Sequence, residues 1–150
     1  MKKGFFILFS IFIFNANGQS NFQTEIKLIE TETNKQVLTV EVKGYGDNQI
    51  KAENSSMKNL FFALLFRGIA GSPSIEPLLG VNENLYLSKY KAYFNEFFDN
   101  KRYTTFINQK TCGEIRKVNR TKFLTCKLSI NIQNIISDLK TNNLIQNYGF

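Results

Sequence analysis

The chain reads as one α+β domain, an antiparallel sheet of four to five strands with two or three helices packed on one face. Three observations predict it. Residues 37–43 alternate, with Leu38, Val40 and Val42 on one side and Val37, Thr39, Glu41 and Lys43 on the other, as in a half-buried strand. Residues 49–70 carry Ile50, Met57, Leu60, Phe61, Leu64, Leu65 and Ile69 at three- and four-residue steps, which is helical spacing. Residues 122–132 alternate again over a longer run, with Leu124, Cys126, Leu128, Ile130 and Ile132 facing one way.

Taken in order, residues 1–18 have the layout of a secretory signal peptide: Lys2 and Lys3, an apolar run from Phe5 to Phe14, and a small-residue close at Asn15-Ala16-Asn17-Gly18. That apolar run is too short to span a bilayer. Cleavage after Gly18 leaves a mature chain of residues 19–150, enough for one domain with its own core. The expected location is periplasmic or extracellular, with no membrane span in the mature chain.

Residues 22–30 form a first strand, followed by a polar turn and the strand at 37–43. Gly44-Tyr45-Gly46 ends that strand and opens the helix at 49–70, whose Leu60–Phe66 segment is apolar all round. Such a helix needs a sheet on one side and another element on the other. Gly68, Gly71, Pro73 and Pro77 close it. Leu78 and Leu79 tuck under the loop at 72–84.

A second helix spans 85–98 with an aromatic stripe of Tyr86, Tyr90, Tyr93, Phe94 and Phe97, the spacing of core packing. A strand follows at 102–107, with Tyr103, Thr105 and Ile107 on one face. A hairpin then pairs 111–118 with 122–132. A last helix opens with Ile132, Ile135, Ile136 and Leu139.

Two strand–helix units carry a family likeness: Val40-Glu41-Val42-Lys43-Gly44-Tyr45-Gly46 into the helix at 52–66, and 123–132 into 135–145. They resemble the βα units of SIMPL-like and FlgT-like periplasmic domains. The chain is also similar to small exported envelope proteins of the Bacteroidetes type. The resemblance implies an interaction or assembly role in the envelope, without a catalytic centre.

The two cysteines, Cys112 and Cys126, are an even pair in a chain bound for an oxidising compartment, so they are expected to bridge. A tip at 118–120 sets Lys117 opposite Thr121 and, five steps back, Cys112 opposite Cys126. Such a bridge contributes about 2–3 kcal/mol. With no histidine, Ser-His and Cys-His catalysis and thiol–imidazole zinc sites are excluded. No cofactor or metal is expected, and Gly44-Tyr45-Gly46 reads as a strand-to-helix turn. Glu76, Glu83, Glu96 and Asp99 are the carboxylates a small hydrolase would draw on, in no arrangement that sets them apart from solvated surface.

Charge is uneven. Removal of Lys2 and Lys3 takes the formal net charge from +7 to +5. Residues 19–100 sum to −2, whereas residues 101–127 sum to +7 with Glu114 as their one acid. Arg116, Lys117, Arg120 and Lys122 crowd the hairpin tip, with Phe123, Tyr103 and Phe106 as expected aromatic neighbours. Cations beside aromatics suit a phosphate- or carboxylate-bearing partner. The expected function is a non-catalytic interaction or assembly component of the cell envelope. The alternative is a binder of an anionic ligand or surface polymer through the basic hairpin, with the hydrolase third. The partner is an envelope protein or an anionic surface polymer, and an exported chain does not meet nucleic acid.

Overall fold

In the computed structural model, residues 25–32, 36–72 and 74–145 are described. The expected signal peptide at 1–18 lies outside them, as does the start of the first strand at 22–24. The elements run β1 (Ile26–Glu32), β2 (Val37–Tyr45), α1 (Gln49–Phe66), α2 (Glu83–Lys89), α3 (Lys91–Phe94), a π turn (Asn95–Asp99), a 3-10 helix (Arg102–Phe106), β3 (Ile107–Cys112), β4 (Arg116–Val118), β5 (Thr121–Asn131) and α4 (Ile132–Thr141). The fold is α+β. All strand pairs are antiparallel, in the order β1-β2-β5-β3, with β4 continuing on the β3 side of β5.

The alternation in β2 and β5 sorts the sheet into two faces. Leu38, Val40, Val42, Leu124, Cys126, Leu128 and Ile130 are buried against α1, while Thr39, Glu41, Lys43, Thr125 and Lys127 face the other way. Among the described residues, no helix covers that outer face.

α1 starts at Asn48, whose side chain accepts from the Lys51 N–H at 2.9 Å. The helix lies against β2 through glycine. A Cβ on Gly44 would stand 2.1 Å from the Ala52 carbonyl oxygen, and one on Gly46 2.6 Å from the Ala52 nitrogen. The glycines of the strand-to-helix turn therefore permit backbone to approach backbone. The all-apolar second half of α1 is covered on two sides. The sheet lies on one, and on the other Phe61 meets Phe97 and Tyr103 at 5.6 and 5.7 Å while Phe66 meets Phe94 at 5.8 Å.

Four expectations change. The first helix ends at Phe66, not at 70, because Gly68 takes the left-handed conformation (φ 76°). The returning loop then supplies the Leu78 and Leu79 N–H groups to the Leu64 and Leu65 carbonyls. Leu79 is buried, as its place under the loop requires.

The second helix is not continuous over 85–98. It breaks at Tyr90 (φ −113°, ψ 38°), resumes, and widens into the π turn closed by Asn100 N–H to Asn95 O at 3.0 Å. The wider turn buries the consecutive rings of Phe97 and Phe98 together, beside Phe94.

The strand expected at 102–107 is the 3-10 helix. Lys101 turns left-handed (φ 60°), and the Thr104 and Thr105 hydroxyls donate back to the Lys101 and Arg102 carbonyls. Tyr103 and Phe106, three apart, then share the inward face and both pack on Phe61. A strand would have sent them to opposite faces.

The hairpin pairs Cys112 with Cys126, and the two are bonded. The register arises differently from the expectation. The turn has two residues, Asn119 (φ 54°) and Arg120, so that Val118 faces Thr121 and Lys117 faces Lys122. Carried back without interruption, that register would set Cys112 off by one. The break at 113–115 between β3 and β4 absorbs the residue, as a bulge does.

Candidate anion-binding site at the hairpin tip

Six contacts hold the tip. The disulfide ties β3 to β5, and the Gly113 N–H donates to Thr125 O at 3.0 Å. The Gln49 side chain clamps the break between the strands: its Nε2 donates to Gly113 O and its Oε1 accepts from the Ile115 N–H, both at 3.2 Å. Lys122 Nζ donates to the Asp47 carbonyl at 3.0 Å, and the Gly46 N–H donates to Lys122 O at 3.2 Å.

Arg116, Lys117, Arg120 and Lys122 are all exposed. Among the described residues, none of the four pairs with a carboxylate. Lys117 and Lys122 stand directly opposite each other on the helix side of the sheet. Opposed like charges repel, and an anion between them would relieve the cost. Arg116 lies on the outer face, opposite Phe123. The other basic groups nearby are occupied: Lys110 binds Glu53 at 2.6 Å, and Lys51 binds Asp47 at 3.2 Å. The Lys110 and Gln49 hydrogen bonds hold the Glu53 carboxyl below its ordinary range.

The aromatic neighbours differ from those expected. Tyr103 is buried in the core with Phe61, Phe97 and Phe98, and Phe106 packs on Phe61 and Phe97. Phe123 instead pairs with Tyr45 of β2, ring centroids 6.2 Å apart, and the Lys43 ammonium lies 4.9 Å over its ring. Lys43 also binds Glu25, which raises its pKa. Tyr45 and Lys43 join the site through the β2–β5 register, which sets Tyr45 opposite Phe123 across a sequence gap that no local pattern bridges.

The carboxylates considered for hydrolysis do not gather. Glu96 accepts from Asn100 at 2.8 Å on an exposed surface, and Asp99 is exposed at the end of the π turn. Glu83 opens α2, where an acid suits the helix N-terminus. Glu76 is exposed beside an apolar cleft of about 490 Å³ lined by Ile75, Leu78, Ile132 and Ile136.

The best-connected polar group is elsewhere and joins elements. Arg102 forms a two-bond pair with Asp138 of α4, at 2.7 and 3.1 Å, and Tyr93 donates to Asp138 Oδ2 at 2.6 Å. The guanidinium lies 5.0 Å over the Tyr93 ring and 5.5 Å over Phe97. Burial, then the Asp138 carboxylate, pushes the Tyr93 phenol far up, and burial also raises Tyr103. A raised phenol favours the folded state below the unfolded value of about 10, and that contribution is lost as pH rises above it. The urea midpoint is therefore expected to fall between about pH 9 and 11. Tyr93→Phe should lose less over that range, and an identical fall in both proteins would contradict the assignment.

What these elements define is a compact α+β domain with a disulfide-anchored, cation-rich hairpin, and among the described residues no helix is long and apolar enough to cross a membrane. No protein-family model, curated protein or solved structure matches the chain.

Proposed function

We propose that the protein is an exported, non-catalytic interaction or assembly component of the cell envelope, and that the basic hairpin tip is its contact surface. The observation that carries this is the quartet of exposed cations without carboxylate partners among the described residues, two of them facing each other, on a hairpin fixed by the disulfide and five hydrogen bonds. A chain that needed these charges only for solubility gains nothing from holding the turn in place. The disulfide suits an oxidising compartment, and with the leader-like residues 1–18 it supports export. The strand–helix units whose sequence pattern resembles that of periplasmic domains are a further reason for this reading. The partner carries carboxylates, sulfates or phosphates.

The test is titration of the mature chain, residues 19–150, against acidic polymers at several salt concentrations. Neutralising Arg116, Lys117, Arg120 and Lys122 together is expected to weaken binding about tenfold or more at 0.1 M salt and to flatten the salt dependence by about three in log–log slope. Unchanged affinity and slope would show that the tip is solvated surface.

A further inference from the structure

The contact surface extends beyond the tip. We infer that it continues onto the open face of the sheet, and that its ligand is an acidic polysaccharide with a sugar ring laid against Tyr45 and Phe123. This rests on the reading of the tip as an anion site.

The register is the first reason. Tyr45, Phe123 and Arg116 are direct partners across β2, β5 and β4, so they form one row on the face away from the helices. Two neighbouring rings are thus left where water reaches them, and Tyr45 is 37% exposed. Phe61, Phe94, Phe97, Phe98 and Tyr103 are buried in the core, and the half-buried rings of Phe62, Tyr86, Tyr90, Tyr93 and Phe106 pack against it from the helix side, whereas Tyr45 and Phe123 lie on the opposite face of the sheet. A cross-strand aromatic pair adds modestly to the stability of the sheet, and it also leaves an apolar ring surface open to a ligand.

The surroundings are the second reason. Arg116 continues the row toward the tip, with Val118 beyond it, 54% exposed. In the other direction Lys43 and Thr125 form the next pair, and a shallow hollow of about 400 Å³ opens beside them, lined also by Lys27 and Glu41. Glu25 also lines that hollow and holds Lys43, so among the described residues Arg116 is the cation of the row without a carboxylate partner, next to the two rings, with hydrogen-bonding groups beyond them.

The ligand follows from that chemistry. The π face of a ring is negative and attracts the weakly positive C–H groups on the flat side of a sugar. The Arg116 fork matches a carboxylate or sulfate on the same sugar or the next. A run of stacked bases would need successive parallel platforms, which two rings tilted by 49°, one of them with Lys43 over it, do not supply, whereas a single sugar needs one open ring face, that of Tyr45, with Phe123 at its edge. A simple phosphate would use the cations and leave the rings idle.

The experiment uses the mature chain and four polymers: polygalacturonate, dextran sulfate, uncharged dextran and polyphosphate. Tryptophan is absent, so intrinsic fluorescence reports tyrosine. At least one of the two acidic polysaccharides is expected to bind and to change that emission. Tyr45→Ala should weaken it about tenfold and leave polyphosphate within about twofold, while Tyr45→Phe should restore it. As a check on the unaltered chain, the bound polysaccharide should shield Tyr45 from nitration.

Two results would overturn the inference and leave the tip reading standing. One is that Tyr45→Ala and the nitration pattern are indifferent to a polysaccharide that binds; the other is that polyphosphate binds and neither acidic polysaccharide does. Binding of none of the polyanions would overturn both.

Discussion

Gly44→Ala is expected to cost the domain about 3 kcal/mol or more, a fall of roughly 10 °C in Tm. The added methyl would lie 2.1 Å from the Ala52 carbonyl oxygen and 2.6 Å from the Ser56 nitrogen, and both are backbone atoms of α1. A flexible side chain can swing aside, but a helix cannot. α1 must move off the sheet, and Ala52, Ser56, Leu60 and Leu64 lose their contacts along its length. Gly113→Ala is the control. Its nearest atom would be Thr125 O at 3.7 Å, an ordinary contact, so the change should stay within about 1 kcal/mol. Urea unfolding of both variants compares them directly. Equal losses would mean that helix and sheet do not meet through Gly44.

Removing the disulfide is expected to cost about 3 kcal/mol, because a bridge between positions 14 apart restricts a short loop in the unfolded chain. The effect should be seen both on reduction of the unaltered protein and in the Cys112→Ala, Cys126→Ala double variant. In the latter it is somewhat larger, since Cys126 is fully buried and its loss leaves a void. The tip should keep its place, because Gln49, Gly46 and the Asp47 carbonyl hold it independently. Thermal unfolding with and without reductant measures the first part, and polyanion affinity under the same conditions the second. A Tm indifferent to reductant would rule out a stabilising bridge.

How much of this was legible depended on the range of the interaction. β2 and the long arm β5 stood out because alternation is a local record of one buried and one exposed face, visible in Leu38-Thr39-Val40 and in Leu124-Thr125-Cys126. The cysteine pairing was legible too, although its counting rested on a three-residue tip. The molecule uses a two-residue turn and corrects the register between Cys112 and Arg116. A turn and a bulge that cancel leave the same end point, so the end point alone could not tell them apart.

The 3-10 helix at Arg102–Phe106 was hidden for the opposite reason. Tyr103-Thr104-Thr105-Phe106 alternates passably as a strand. What decides its form is distant: Asp138 on α4 anchors Arg102, and Phe61 on α1 receives both rings. The break at Tyr90 is of the same kind, since Tyr90 donates its hydroxyl to the Asn143 carbonyl beyond α4. Local propensity is worth tenths of a kcal/mol per residue and yields to contacts worth more.

Sequence by itself determined the α+β class, the inward faces of β2 and β5, the apolar helix between them, the cysteine pair and the cationic block, because period, composition and local charge are properties of neighbouring residues. Only the tertiary structure decided that Tyr45 stands beside Phe123, that Tyr103 and Phe106 belong to the core, and that Lys117 faces Lys122. Those facts depend on strand register and on helix–sheet closure, which bring together residues far apart in the chain, 78 positions in the case of Tyr45 and Phe123.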